Sequence, residues 1–133
     1  MSNAERRDTH SVTAATEAAD AFIREVAEHR RVWTIQDADG IPTATSSGNK
    51  AMPFWSALSR AESVIATVPA YSGFAPLELP WDRFRDRWLS GLERDGLHVG
   101  INWSGPRALG YDLSPTEVLT RIQDELSKLD RNG

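Results

Sequence analysis

The chain has 133 residues, 40% of them apolar and 26% charged, with a formal net charge of −4 and a pI near 5.3. This is the size and composition of one soluble globular domain, able to bury roughly two-thirds of its unfolded surface without a disulfide or metal staple. The absence of cysteine excludes disulfides, thiolate zinc sites, iron–sulfur clusters and cysteine nucleophiles, and the acidic balance argues against nucleic acid as a partner.

A polar tail, residues 1–10, precedes a single domain over 11–133. The tail lacks the hydrophobic core of a secretory signal, and no apolar run approaches the roughly 18–20 residues of a membrane span, so a cytoplasmic protein without membrane contact is expected. Val12, Ala15, Ala19, Phe22, Ile23 and Val26 recur at three- and four-residue steps, the stripe of an amphipathic helix. Ser11 or Thr13 can cap its start, and His29, Arg30 and Arg31 suit the negative end of its dipole. Val32–Gln36 reads as a strand ending in the turn Asp37-Ala38-Asp39-Gly40. A second strand is expected over 41–45, on a sheet edge because Pro42 has no amide to donate. After a loop at 46–49 a third strand runs from Lys50 to Trp55, with Pro53 inside it. Ser56 can cap a helix carrying Leu58, Ala61, Val64 and Ile65.

From Pro69 to Pro76 the chain reads as irregular, followed by a short strand at Leu77-Glu78-Leu79. Pro80 suits the first turn of the next helix, whose stripe is Trp81, Phe84, Trp88, Leu89 and Leu92; Asp95-Gly96 stops it. A strand follows over 97–103, then a loop from Ser104 to Leu113. Ser114-Pro115-Thr116-Glu117 is a capping box with proline at the first helical position, opening a helix that buries Val118, Leu119, Ile122, Leu126 and Leu129. The order α-β-β-β-α-β-α-β-α, a meander followed by two βα-like units, predicts an α+β domain. Its expected architecture is a single mixed, mostly antiparallel sheet of about five strands with four helices packed on it.

The strand Leu97-His98-Val99-Gly100-Ile101-Asn102-Trp103 carries the most informative alternation. Leu97, Val99, Ile101 and Trp103 should face a helical layer, and His98, Gly100 and Asn102 the other side. Gly100 would let a neighbouring element, an aromatic ring or a ligand approach the backbone. A satisfied sheet face explains this pattern; so does a shallow pocket floored by Gly100 and lined by Asn102.

Tests for chemistry come out thin. His10, His29 and His98 have no metal-ligand spacing, and no H-E-x-x-H, G-x-S-x-G, G-x-G-x-x-G or P-loop is present. Asp37-x-Asp39-Gly40 departs from a calcium loop at Ile41 and Gly48, where further oxygen ligands belong. Asp82 with Arg85 and Arg83 with Asp86 are expected to pair on a solvated helix face; Arg83, Arg85, Arg87 and Arg94 lie within one segment, which leaves a local basic patch open. No catalytic residue, metal site or cofactor is assigned. Five tryptophans, Trp33, Trp55, Trp81, Trp88 and Trp103, are read first as core; an aromatic pocket for a cation, base or peptide is the sharper reading. Tyr71, Phe74, Arg107 and Tyr111 on the two irregular segments would rim such a pocket.

The chain resembles a family of small bacterial proteins of unknown function, DUF2750. The likeness rests on Val32-Trp33-Thr34 with Asp37-x-Asp39-Gly40, Pro53-Phe54-Trp55-Ser56 with Ala61, Phe84-x-x-x-Trp88-Leu89, and Asp95-Gly96-Leu97-x-Val99-Gly100-Ile101-Asn102-Trp103. The resemblance implies a single bacterial α+β domain and no particular activity. The functional expectation is a non-enzymatic protein-interaction or regulatory domain, an immunity role among its forms, whose partner is another protein or a second copy of the chain. The alternative is a small-ligand-binding protein or enzyme using Asn102, Trp103, Arg107 and Tyr111. A ligand site should bring those side chains to one concave cavity; an interaction module should instead expose an apolar patch.

Overall fold

In a computed structural model the described residues are 17–46, 48–105 and 110–132; Arg107, the polar tail and the candidate caps Ser11 and Thr13 lie outside them. Helix α1 occupies 17–29. Arg30, left-handed at φ +56, turns the chain directly into β1, Arg31–Gln36. Then come β2, Ala44–Ser46, β3, Asn49–Phe54, and α2, Leu58–Thr67. A 3-10 turn at Pro69–Tyr71 leads into β4, Ala75–Pro80. One continuous helix, α3, covers 81–95. Strand β5, His98–Ile101, a two-residue β6, Asp112–Leu113, and α4, Pro115–Asn132, complete the order. The α+β class and the element order follow the sequence pattern, with β6 added inside the predicted loop and β4 longer than its Leu-Glu-Leu core. No helix among the described residues is long and apolar enough to cross a membrane.

The strand pairing departs from the expected meander. β1 does not pair with β2; it runs antiparallel to β4, Arg31 opposite Pro80 through Gln36 opposite Ala75. The turn after β1 forms as read, with Asp37 and Gly40 exchanging backbone bonds of 3.0 and 3.1 Å, but it carries the chain away. The second ladder is ordered β2-β3-β5-β6, antiparallel except for β3 beside β5. In place of a single regular sheet there are two ladders, joined where Trp33 and Trp55 exchange backbone hydrogen bonds of 2.8 and 2.7 Å.

Pro53 sits in central β3, where a missing amide is normally costly. Its carbonyl accepts a bond from the Thr34 hydroxyl at 2.8 Å, on the side facing β1. A residue's N–H and C=O share one side of a strand, so the absent donor faces the seam between β1 and β2 and leaves the β5 ladder intact.

Alternation along the strands feeds two apolar layers. On one face α1, α3 and α4 bury Phe22, Val26, Phe84, Leu92, Val118 and Ile122 against Val32, Phe54, Val99 and Ile101. On the other, α2 and the 3-10 turn pack Ala61, Val64, Val68 and Tyr71 against Ile35, Ala51, Trp55 and Trp103. Burial pushes the Tyr71 hydroxyl up from its ordinary value. At the start of α4, Ser114 accepts from the Glu117 amide at 3.2 Å, while the Glu117 carboxylate takes Arg121 at 2.6 Å in place of the return half of the capping box.

Candidate functional site

Two of the hollows that border the helices involve tryptophans, and the sequence pointed to only one of them. The first lies at the end of β5. Asn102 is left-handed at φ +46, a conformation asparagine tolerates better than most side chains. That residue breaks the alternation, so Trp103 does not join Leu97, Val99 and Ile101 as expected. Its indole folds back over Gly100, where an added Cβ would lie 2.5 Å from the ring. The space beside Gly100 is therefore filled by the protein's own aromatic ring.

The polar atoms here are bound to one another. The Trp103 indole N–H donates to the Tyr111 carbonyl at 3.0 Å, and Trp55 donates to the Trp103 carbonyl at 2.8 Å. Asn102 Oδ1 accepts from the Ser56 amide at 2.9 Å, and its Nδ2 donates to the Ser56 hydroxyl at 3.0 Å. That hydroxyl donates to Glu25 at 2.5 Å, and Arg60 closes the chain of bonds to Glu25 at 3.3 Å. Ser56 is thus not the predicted helix cap; α2 begins after Ala57 with no side-chain cap bond. Burial pushes the Glu25 carboxyl up, but the Ser56 hydroxyl, the Arg60 guanidinium and the charge of His29 outweigh it and hold it below 4.5.

Of the residues singled out from sequence, Asn102 and Trp103 are buried, at 9% and 1% exposure, and Tyr111 is 36% exposed. Asn102 and Trp103 border a polar cleft of about 350 Å³ with Ser59, Arg60, Ser63 and Thr67; Tyr111 does not. His98, the remaining polar residue of the strand, lies 2.7 Å from Asp112, whose second oxygen is buried and accepts no hydrogen bond among the described residues.

The second hollow comes from α3. Its middle, Phe84–Leu89, is a π-helix, with the i→i+5 spacing that often marks functional sites. Phe84 and Leu89 are both buried, five residues apart, whereas the sequence stripe placed Trp88 under Phe84 at four. The added residue rolls Trp88 to the rim. There it is half-buried, meets Phe54 edge-on at 6.2 Å, and makes no hydrogen bond among the described residues through its indole N–H.

Met52, Leu77, Leu79, Leu92 and Leu97 form the apolar floor of a groove of about 520 Å³ that Trp88 borders. Gly91 contributes no side chain to it, and an added Cβ would meet only the Arg94 guanidinium, at 3.6 Å. Arg83 and Arg87 stand on the helix wall, with Glu78 and Asp95 also bordering the groove. The expected pairs Asp82–Arg85 and Arg83–Asp86 do not form. Arg85 takes Asp86 at 2.6 Å and Arg94 takes Asp95 at 3.5 Å, because adjacent side chains reach each other first, while Arg83 and Arg87 make no ion pair among the described residues. A break in the tryptophan–leucine stripe at Gly91 was the sequence signal for this groove, and periodicity alone passed over it. Among the described residues no group of three or more histidine, cysteine or carboxylate side chains is placed to hold a metal ion.

None of the curated proteins matches the chain. Residues 19–122 match the profile of a family described as a protein of unknown function, DUF2750, so the turn, tryptophan and glycine positions that build both hollows lie within the matched stretch and the chain belongs to that family.

Proposed function

We propose that this is a protein-interaction domain, acting in the cytoplasm, whose working surface is the groove between α3 and the sheet. The observation that carries the reading is the half-buried Trp88 above an apolar floor, beside a glycine that leaves the groove open. Tryptophan and arginine in such settings supply much of the energy of binding interfaces, and apolar hollows of this kind seat a partner's side chains. The polar groups at the end of β5 are bonded to one another, which favours a structural role for them over a binding one.

A photo-crosslinking residue placed at the exposed groove-border position 95, compared with one at the exposed Asp124, tests the reading in living cells. The expected result is a discrete adduct from position 95 alone, whose partner, identified by mass spectrometry and purified, binds the wild-type domain and not an Arg87→Glu variant. Equal labelling from both positions would overturn the reading. So would a small metabolite that raises the melting temperature through the cleft beside Arg60, with no protein adduct from the groove.

A further inference from the structure

We infer that the occupant of this groove is an amphipathic helix carrying two carboxylates one turn apart, laid with those carboxylates against α3. The inference rests on the docking reading above and specifies the partner's chemistry. Strand addition at the neighbouring β4 edge is closed off. The Trp81 amide donates to the Arg30 carbonyl at 2.9 Å, and amides alternate sides along a strand. The amides of residues 77 and 79 therefore also face β1, and residues 76, 78 and 80 face the free edge. Two of those three are Pro76 and Pro80, which have no N–H, so an incoming strand would find a donor at Glu78 only. What remains for a peptide is the groove itself, which suits the helix-in-groove mode of recognition.

Charge sets the orientation. Arg85 and Arg94 are each taken up by the next aspartate. Arg83 and Arg87, about one turn apart on the groove wall, are the guanidinium groups of α3 left without an ion pair among the described residues. Carboxylates on the partner can pair with both, and such bonds are short and directional. Glu78, on the strand side and likewise outside any ion pair among the described residues, can take a lysine on the partner's other flank. The apolar row between those flanks then lies over Leu77, Leu79 and Trp88. The groove volume also falls in the range of small-molecule pockets, so the test includes that outcome.

The probes are synthetic fluorescent helical peptides with leucines at i, i+3, i+4 and i+7. One carries glutamates one turn apart beside that row; its twins carry glutamine or lysine there. Fluorescence anisotropy with the full chain should show the glutamate peptide binding at least tenfold more tightly than the glutamine peptide. Gly91→Phe, which fills the groove, should abolish binding with an unchanged circular-dichroism spectrum and no loss of melting temperature. Arg83→Glu with Arg87→Glu should reverse the preference toward the lysine peptide. Equal binding of the three peptides would overturn the inference. Failure of all three, when crosslinking from position 95 still identifies a protein, would overturn it while leaving the docking reading in place. A concentration-dependent dimer abolished by Gly91→Phe would identify a second copy as the occupant, and a small molecule bound in the groove would exclude a helical one; either overturns the inference.

Discussion

Gly100 in β5 and Gly91 in α3 both stand where a side chain would enter a hollow, and the molecule treats them in opposite ways. At Gly100 the vacated volume is taken by the Trp103 ring, its indole N–H already bonded to Tyr111. At Gly91 the volume stays open, faced by a tryptophan whose indole N–H makes no hydrogen bond among the described residues. The same residue type thus closes the core in one place and leaves a receptive surface in the other. Backbone geometry makes the difference: a single left-handed residue swings Trp103 inward, and a single π segment rolls Trp88 outward.

The comparison breaks most visibly at the closed end. Trp103→Ala should cost about 3–5 kcal/mol in urea unfolding, as for other buried aromatic truncations. Gly100→Ala forces a methyl into that ring and should cost about 1–3 kcal/mol. Because the methyl clashes with the ring itself, its cost should largely vanish in the Trp103→Ala background; full additivity in the double-mutant cycle would separate the two residues.

Asn102→Ala comes next. It leaves the buried Ser56 amide without its acceptor and places alanine at positive φ, so a loss of about 2 kcal/mol is expected. A loss within error of zero would show that water replaces the side chain.

At the open end the sign reverses. Gly91→Ala removes the helix penalty of glycine and meets only ordinary contact with Arg94, so stability should rise by about 0.5–1 kcal/mol. A fall in melting temperature would mean the groove is closed in solution.

The smallest expected effect is on Glu25. Its carboxyl is held below 4.5 in the fold, so its contribution is present above that value and is lost as pH falls through the folded value. The stability gap between wild type and Glu25→Gln, at most about 1 kcal/mol for a partly exposed pair, should hold near neutral pH and shrink in acid. A gap that grows in acid would contradict the assignment of Ser56 and Arg60 as its partners.

Much of the architecture was legible because local signals determine it: apolar stripes set the helices, Asp37–Gly40 the turn, and Ser114 the start of α4. Gly100 could be read as a site of close approach. Which ring approaches could not, since the left-handed turn at Asn102 comes from the bonds its side chain makes to Ser56 on a distant strand end. The pairing of β1 with β4, far along the chain, was hidden for a similar reason: strand partners are chosen by the packed layers, not by neighbours in sequence. The π segment escaped because a stripe of Trp81, Phe84, Trp88, Leu89 and Leu92 fits an ordinary helix equally well. The helix stripe counts Trp88 and Leu92 as core, and nothing in it singles out Met52 or Gly91; only the one-residue change of phase makes Trp88 a rim residue.

The most direct test follows the indole N–H resonances of the five tryptophans by ¹H–¹⁵N NMR while the glutamate-bearing helical peptide is added, each peak assigned through a tryptophan-to-phenylalanine variant. The expected result is a saturable shift of the Trp88 resonance with those of Trp55 and Trp103 unmoved. A shift centred on Trp103, or no shift at Trp88, would contradict the division of the molecule into a closed end and an open groove.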